Sequence, residues 1–401
     1  MRILIADRLP DTARLELQAA GLEVHFEPGL QDEALVDAVA RLAPEVLVVR
    51  STLVHAAILH ASPSLQLVVR AGAGVNNIDL GAASARGIFV SNCPGTNAVA
   101  TAELAFAHIL NADRRIADAT ADLRAGQWQK TRYSKASGLK GRTLGVLGAG
   151  DIGQAVIARA QAFEMNVVVW SRSLTPARAE ELGVTRAESP VDVARVADVL
   201  TVHLALTPAT RGFVGSAIFD ALRPGSIFVN TSRGAVVHEG ALARAVQEKG
   251  IKVGLDVFHN EPEEDGDWQH PLVAMPGVYG TPHVGASTSQ AQEAVAAETC
   301  RIILDWAQKG VARGCVNLAD QTPATHLLVV RHADRVGVLA GVLDHLRQLH
   351  INVQQMENIV FLGAKAACAR IQIEGEPPPH LATLLAQDDA IFEVKVVPIA
   401  R

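Results

Sequence analysis

The sequence predicts an α/β fold in which two doubly wound parallel-sheet domains precede a smaller mixed domain. Three observations predict it. Short unbroken apolar runs alternate with segments of helical period from Ile3 to Tyr279, as expected for parallel strands covered on both faces. One such run, Thr143-Leu144-Gly145-Val146-Leu147, leads into Gly148-Ala149-Gly150-Asp151-Ile152-Gly153 and then into a helical segment. That context turns a weak G-x-G-x-x-G pattern into a phosphate-binding strand-turn-helix. Residues 326–401 read in the order β-α-β-β-α-β, a ferredoxin-like arrangement.

The first series of strands is Ile3-Leu4-Ile5, Val24-His25-Phe26, Val46-Leu47-Val48-Val49, Leu67-Val68-Val69 and Ile88-Phe89-Val90, with a helical pattern over 30–42. A long amphipathic helix over 97–115 follows, with Asn97 or Thr96 as its cap. Beyond the polar stretch 124–140, a second series begins at Leu144 and continues through Val167-Val168-Val169-Trp170, Val199-Leu200-Thr201-Val202, Ile227-Phe228-Val229, Val253-Gly254-Leu255 and Val278-Tyr279. A capping-box pattern, Ser287 to Gln290, starts a helix that stops at Gly310. It has no strand of its own, so it is expected to return to the first series. The expected domains are therefore 1–96 with 285–315, a nucleotide-binding domain over 97–284, a linker over 316–325 containing Pro323, and a tail over 326–401. In the tail, strands are expected at 326–331, 354–361, 366–373 and 392–397, and helices at 336–349 and 379–386.

A net charge of -6 gives no general attraction to nucleic acid or anionic membranes. Any anionic ligand must be met by local basic residues. The four cysteines, Cys93, Cys300, Cys315 and Cys368, have no metal-ligand spacing, so no metal is expected. No apolar run approaches membrane-spanning length, which points to a cytoplasmic protein.

Three further stretches end strands with polar residues: Asn230-Thr231-Ser232-Arg233-Gly234, Asp256-Val257-Phe258-His259-Asn260-Glu261-Pro262 and Thr281-Pro282-His283-Val284-Gly285-Ala286-Ser287-Thr288. Ligands of open α/β sheets bind at the carboxyl ends of strands, so Arg233, a carboxylate and His283 are expected to converge. Taken singly, each has a bland reading. Glu261 stands in an acidic run with Glu263, Glu264 and Asp265, and Asp256 is a competing carboxylate. Arg50-Ser51, Arg70 and the Ala73-Gly74-Val75 turn also end strands and suit an anionic substrate. Lys130, Arg132 and Lys135 form a small basic cluster that is read equally as a phosphate contact, within the chain or across a dimer interface, or as a solvated loop.

Arg-Gly after a strand, Glu-Pro after Asp-Val-Phe and Pro-His before Gly-Ala-Ser-Thr resemble the D-isomer-specific 2-hydroxyacid dehydrogenases, most closely the phosphoglycerate dehydrogenase branch. Arg70-Ala71-Gly72-Ala73-Gly74-Val75-Asn76-Asn77-Ile78-Asp79 and Asn92-Cys93-Pro94-Gly95-Thr96-Asn97 are similar to the same branch. The resemblance implies a flavodoxin-like substrate domain, a Rossmann domain and an ACT regulatory tail, with Asp334-Arg335-Val336-Gly337 at the first strand-helix junction of the tail. It implies a homodimer or homotetramer that oxidises a phosphorylated 2-hydroxy acid, the first step of L-serine synthesis. His283 would be the base, Glu261 its orienting carboxylate and Arg233 the substrate-binding arginine, since an imidazole titrates near neutrality and a guanidinium pairs with carboxylates. Gly148, Gly150, Asp151, Ile152, Gly153, Thr231, Ser232 and Asp256 would hold the cofactor, with Asp256 at the nicotinamide carboxamide. His332, Asp334 and Asn352 would hold an L-serine effector. The alternatives are a glyoxylate or hydroxypyruvate reductase and, from another class, a nucleotide-sensing corepressor, which no nucleic-acid-binding segment supports.

NAD is the cofactor implied, with one departure. An acid normally follows the second strand to accept from the adenosine ribose. Here Trp170 is followed by Ser171, Arg172 and Ser173, which opens the site to NADP.

Overall fold

The structure, a computed structural model, describes residues 1–262 and 266–399, so Glu263, Glu264 and Asp265 lie outside it. It divides into two compact units, Met1–Asn317 and Leu318–Arg401. The first unit holds two parallel sheets. One consists of β1 (Arg2–Ile5), β2 (Glu23–Phe26), β3 (Val46–Val49), β4 (Leu67–Arg70) and β5 (Phe89–Asn92), in the order β2-β1-β3-β4-β5. That is the flavodoxin-like order. The other consists of β6 (Thr143–Leu147), β7 (Asn166–Trp170), β8 (Thr185–Arg186), β9 (Val199–Val202), β10 (Ile227–Asn230), β11 (Lys252–Leu255) and β12 (Val278–Gly280), in the order β12-β11-β10-β9-β6-β7-β8. The chain runs outward from β6 in one direction and then returns to β9 to run outward in the other, so the switch point lies between β6 and β9. Open α/β sheets bind ligands there.

The continuous apolar strands are buried as their composition demands. All four residues of β3, β9 and β10 are buried. The helix Ser289–Lys309 returns to the first sheet, where Ala296, Cys300, Ile302 and Ile303 pack with Ile3, Ile5, Val46, Val48, Leu67 and Val69. Each fully buried isoleucine contributes about 1.5–3 kcal/mol relative to exposure. The helix Ala98–Arg114 presents Ala102, Ala105, Phe106, Ile109 and Ala112 to the core of the seven-stranded sheet. Its alanines let the helix approach closely.

In the second unit, β13 (His326–Ala333), β14 (Val353–Val360), β15 (Ala366–Ile373) and β16 (Ile391–Pro398) form an antiparallel sheet in the order β14-β15-β13-β16. The helices Val338–Gln348 and Leu381–Leu385 bury Val342, Leu346, Leu381 and Leu385 against it. This is the ferredoxin-like arrangement. No helix among the described residues is long and apolar enough to cross a membrane.

Local expectations differ in four places. Thr288, not Ser287, caps the helix Ser289–Lys309 by accepting from the Ala291 amide. Asn97 makes no capping bond, and the Thr96 hydroxyl donates back to the Cys93 carbonyl at 2.9 Å. The short β8, Thr185–Arg186, leaves no periodic signal. The first unit ends at Asn317, inside the expected linker, because the Val316 amide donates to the Val90 carbonyl and Asn317 bonds to the Val90 amide and the Ile88 carbonyl.

Candidate active site

A cleft of about 720 Å³ in the first unit is lined by carboxyl ends of strands from both sheets. On the five-stranded side, Asp7 follows β1 and its Oδ2 accepts from the backbone amides of Arg50 (2.5 Å), Ser51 (3.1 Å) and Thr52 (3.1 Å). A carboxylate accepting three amides fixes the turn that carries Arg50 to the cleft. Arg70 ends β4. Burial, with the like charges of Arg233 and Arg50, pulls its guanidinium down to about 10, so it remains cationic at neutral pH. Its Nε is buried without a hydrogen-bond partner among the described residues. An unpaired buried donor costs about 1–3 kcal/mol, a cost that a bound anion relieves.

On the seven-stranded side, β10 ends in the buried Asn230. Its Oδ1 accepts from the Ser232 amide (2.9 Å) and hydroxyl (2.7 Å), while Nδ2 donates to the Arg233 carbonyl (3.0 Å). This ties the turn that aims Arg233. The Arg233 guanidinium reaches the first sheet's Gly74, where an added Cβ would lie 2.7 Å from Nη2. Burial lowers its pKa, opposed by the charge of Glu261.

His283 and Glu261 form the pair expected from a base and its orienting acid. His283 Nδ1 donates to Glu261 Oε2 at 2.6 Å, and Glu261 Oε1 accepts from the Phe258 amide at 2.7 Å. Burial pushes the Glu261 carboxyl up, but the His283 bond, the Phe258 amide and the charges of His283 and Arg233 outweigh it and hold the carboxyl low. With Nδ1 donating, a neutral His283 carries its lone pair on Nε2. The backbone of His283 sits at φ +51°, left-handed for a non-glycine residue. Such strain recurs at functional sites and persists only where neighbours enforce it. Here Asp256 enforces it. The Asp256 carbonyl accepts from the His283 amide (2.9 Å), and its carboxylate accepts from Thr281 Oγ1 (2.6 Å) and the amides of Val284 (2.9 Å) and Gly285 (2.8 Å).

The glycine turn has the geometry a diphosphate needs. Gly148 has φ +103°, where a Cβ would strike the His203 carbonyl, and a Cβ on Gly153 would strike the Gly148 carbonyl. Gly150 caps the helix Asp151–Ala162. A dinucleotide fits these residues. The turn opens at the switch point, and Thr231 Oγ1 and His203 Nδ1 are buried without partners among the described residues.

The cleft brings together Arg50, Ser51, Arg70, Ala73, Gly74, Val75, Ile152, Thr231, Ser232, Arg233, Asp256, Glu261 and His283. Gly148, Gly150, Asp151 and Gly153 form the adjoining turn. Ser171 and Arg172 follow β7, and Arg172 is exposed with no hydrogen bond or ion pair among the described residues. The basic cluster does not reach the cleft lining: Lys130, Arg132 and Lys135 are exposed, and Arg132 bridges to Asp122. In the second unit His332 is 1% exposed and its Nδ1 donates to the Ala333 carbonyl, whereas Asp334 and Asn352 are exposed. No group of His, Cys, Asp and Glu among the described residues has metal-site geometry.

Sequence reasoning missed Asp7 and His203. Asp7 follows the last residue of its strand by two positions and His203 by one, as Arg233 follows Asn230 by three, so the same strand-end signal marks all three. His203 is half-buried with its Nδ1 sealed from solvent, and desolvation depresses its imidazole to about 3, so it stays neutral.

Residues 106–285 match the profile of the "D-isomer specific 2-hydroxyacid dehydrogenase, NAD binding domain". The D-3-phosphoglycerate dehydrogenase of Archaeoglobus fulgidus is 35% identical over 85% of this chain and 64% of its own. That of Mycobacterium leprae is 41% identical over 75% and 56%. The chain thus spans roughly three-fifths of the length of these curated relatives. An NADPH-dependent glyoxylate/hydroxypyruvate reductase from Sinorhizobium meliloti, solved with NADP and malonate, superposes with a TM-score of 0.67 at 31% identity, covering 79% of this chain and 96% of that one. With its parallel sheets, glycine turn and Arg-Glu-His cleft in a sequence matched by these relatives, the chain belongs to the D-isomer specific 2-hydroxyacid dehydrogenase family.

Proposed function

We propose that the protein oxidises D-3-phosphoglycerate to 3-phosphohydroxypyruvate with NAD, the entry to L-serine synthesis. The observation that carries the reading is the convergence of three guanidinium groups, Arg50, Arg70 and Arg233, with the His283–Glu261 pair in one cleft. A substrate with a carboxylate and a phosphate needs two anion-binding sets. Arg233 takes the carboxylate and the oxygen at C2, while Arg50 and Arg70, with the Ala73-Gly74-Val75 turn and Ser51, take the phosphate end. His283 Nε2 accepts the hydroxyl proton, and the imidazolium formed is held by Glu261. When bound, NAD would supply the hydride acceptor. Gly148, Gly150, Asp151, Ile152, Gly153, Thr231 and Ser232 would hold the dinucleotide, and Asp256 would meet its carboxamide. On this reading residues 1–96 and 285–315 form the substrate domain and 97–284 the nucleotide domain.

Two observations bear on cofactor and substrate choice. No carboxylate follows β7, and the exposed Arg172 can pair with a 2′-phosphate, so NADP is accepted beside NAD. Glyoxylate or hydroxypyruvate reduction is the second reading, favoured by the Sinorhizobium meliloti neighbour. Purified protein given D-3-phosphoglycerate with NAD, and glyoxylate with NADPH, decides between them. Turnover of glyoxylate alone would reject the first reading.

The tail is an ACT-like regulatory domain whose candidate effector is L-serine, through His332, Asp334 and Asn352. Burial of His332 leaves Asp334 and Asn352 as its accessible groups. Inhibition by L-serine that persists in a chain ending at Gln321 would remove the tail from regulation. A cytoplasmic homodimer or homotetramer agrees with four free cysteines and with the helix Ile116–Arg124, which buries none of its residues and exposes Ile116 and Leu123 beside the exposed Trp128. A monomer in sedimentation would refute it.

A further inference from the structure

The helix Ala98–Arg114 carries a buried histidine for which the reaction above has no use. His108 is 4% exposed, and its ring lies against Gly254 of β11, where an added Cβ would come 2.6 Å from the His108 Cβ. Only glycine leaves that room. His108 Nε2 lies 3.0 Å from Thr281 Oγ1, which lies 2.6 Å from Asp256 Oδ1.

The donors fix the direction of this chain. A carboxylate only accepts, so the Thr281 hydroxyl gives its single proton to Asp256 and must itself accept from His108 Nε2–H. Burial lowers the His108 pKa against the opposing charge of Asp256, so the ring remains neutral with its proton on Nε2. Asp256 in turn clamps the catalytic turn through the amides of Val284 and Gly285 and, by its carbonyl, that of His283. The left-handed backbone of His283 needs that clamp.

We propose that His108 is a positioning residue: through the Thr281 hydroxyl it fixes the Asp256 carboxylate that holds the 281–285 turn, and so sets His283 against Glu261. The proposal deepens the reading of His283 as the base and rests on it. It couples a helix of the nucleotide-binding half to the proton-transfer pair without touching either substrate.

The test compares His108→Met, which keeps volume but not the donor, with His108→Gln, whose amide nitrogen has similar reach, in the full-length protein. Readouts are kcat and KM with D-3-phosphoglycerate and NAD, NAD affinity by tryptophan fluorescence, and amide exchange at Val284 and Gly285. His108→Met is expected to lower kcat roughly 3- to 10-fold, the scale of one hydrogen bond, with KM for D-3-phosphoglycerate unchanged and faster exchange at both amides. His108→Gln should restore both, and His108→Met should add nothing in a Thr281→Val background. Wild-type kcat and exchange in His108→Met, or effects that multiply with Thr281→Val, would overturn the inference. Should His108→Met not fold, Thr281→Ser against Thr281→Val gives the same contrast. His283→Ala run alongside separates the two claims: full turnover there rejects the base, while exchange at Val284 and Gly285 still judges the clamp.

Discussion

The five-stranded and seven-stranded sheets of the first unit are both parallel and buried on both faces, yet they bring different groups to their shared cleft. The five-stranded sheet offers positive charge and backbone. Its nearby acid, Asp7, turns Oδ2 to three backbone amides and is not among the residues that line the cleft. The seven-stranded sheet offers the glycine turn, one arginine and the hydrogen-bonded His283–Glu261 pair. Both sheets supply strand ends, and what differs is the residue that follows each strand. On the proposed reading the phosphate end of the substrate is held by the five-stranded side, while its carboxylate and the proton are handled by the seven-stranded side, so substitutions at Arg50 or Arg70 should act on KM and those at His283 or Glu261 on kcat.

The largest effect is expected at the proton-transfer pair. His283→Ala should lower kcat roughly 10²–10⁴-fold while NAD still binds, as read by steady-state kinetics and fluorescence titration. Glu261→Gln should be milder and should move the acidic limb of the pH–rate profile, because it removes the charge that stabilises the imidazolium. Near-normal turnover in His283→Ala would place the base elsewhere.

On the other sheet, Arg70→Ala should raise KM for D-3-phosphoglycerate roughly 10- to 100-fold, the scale of a charge-assisted hydrogen bond, with a much smaller change in kcat. If kcat falls as far as kcat/KM, Arg70 acts in the transition state and the division between the sheets fails. A smaller effect is expected at the cofactor's far end. Arg172→Ala should lower kcat/KM for NADP by about tenfold and leave NAD nearly unchanged. Equal loss for both would show that Arg172 does not read the 2′ position.

The smallest effect concerns stability. His203 is held neutral, with its pKa depressed to about 3 by burial. The unfolded chain takes up a proton there below its ordinary value near 6.5, and the folded chain does not. Stability from this site is thus complete above about pH 6.5 and is lost as pH falls toward 3, by up to roughly 1.4 kcal/mol per pH unit. Urea unfolding between pH 7 and 4 should show a shallower acid loss in His203→Gln than in wild type. An identical slope would remove His203 from the acid response.

Much of this is legible in the sequence, for a physical reason. Parallel strands buried on both faces must be apolar throughout, so β3, β4, β6, β7 and β9 announce themselves, and the Gly148–Gly153 spacing follows from two close approaches that no Cβ survives. His283, Glu261 and Arg233 are legible because each follows a strand. What sequence reasoning leaves open is decided by contacts distant along the chain. The sequence marks Asp256 as a cofactor ligand, and only the fold shows its carboxylate clamping residues up to 29 positions away. Asp7 meets the 50–52 turn across 43 to 45 residues. His108 finds Thr281 across 173. Periodicity and motif spacing report a residue's own strand or helix. They carry no record of which side chain from another element fills the space beside it, and only tertiary packing decides that.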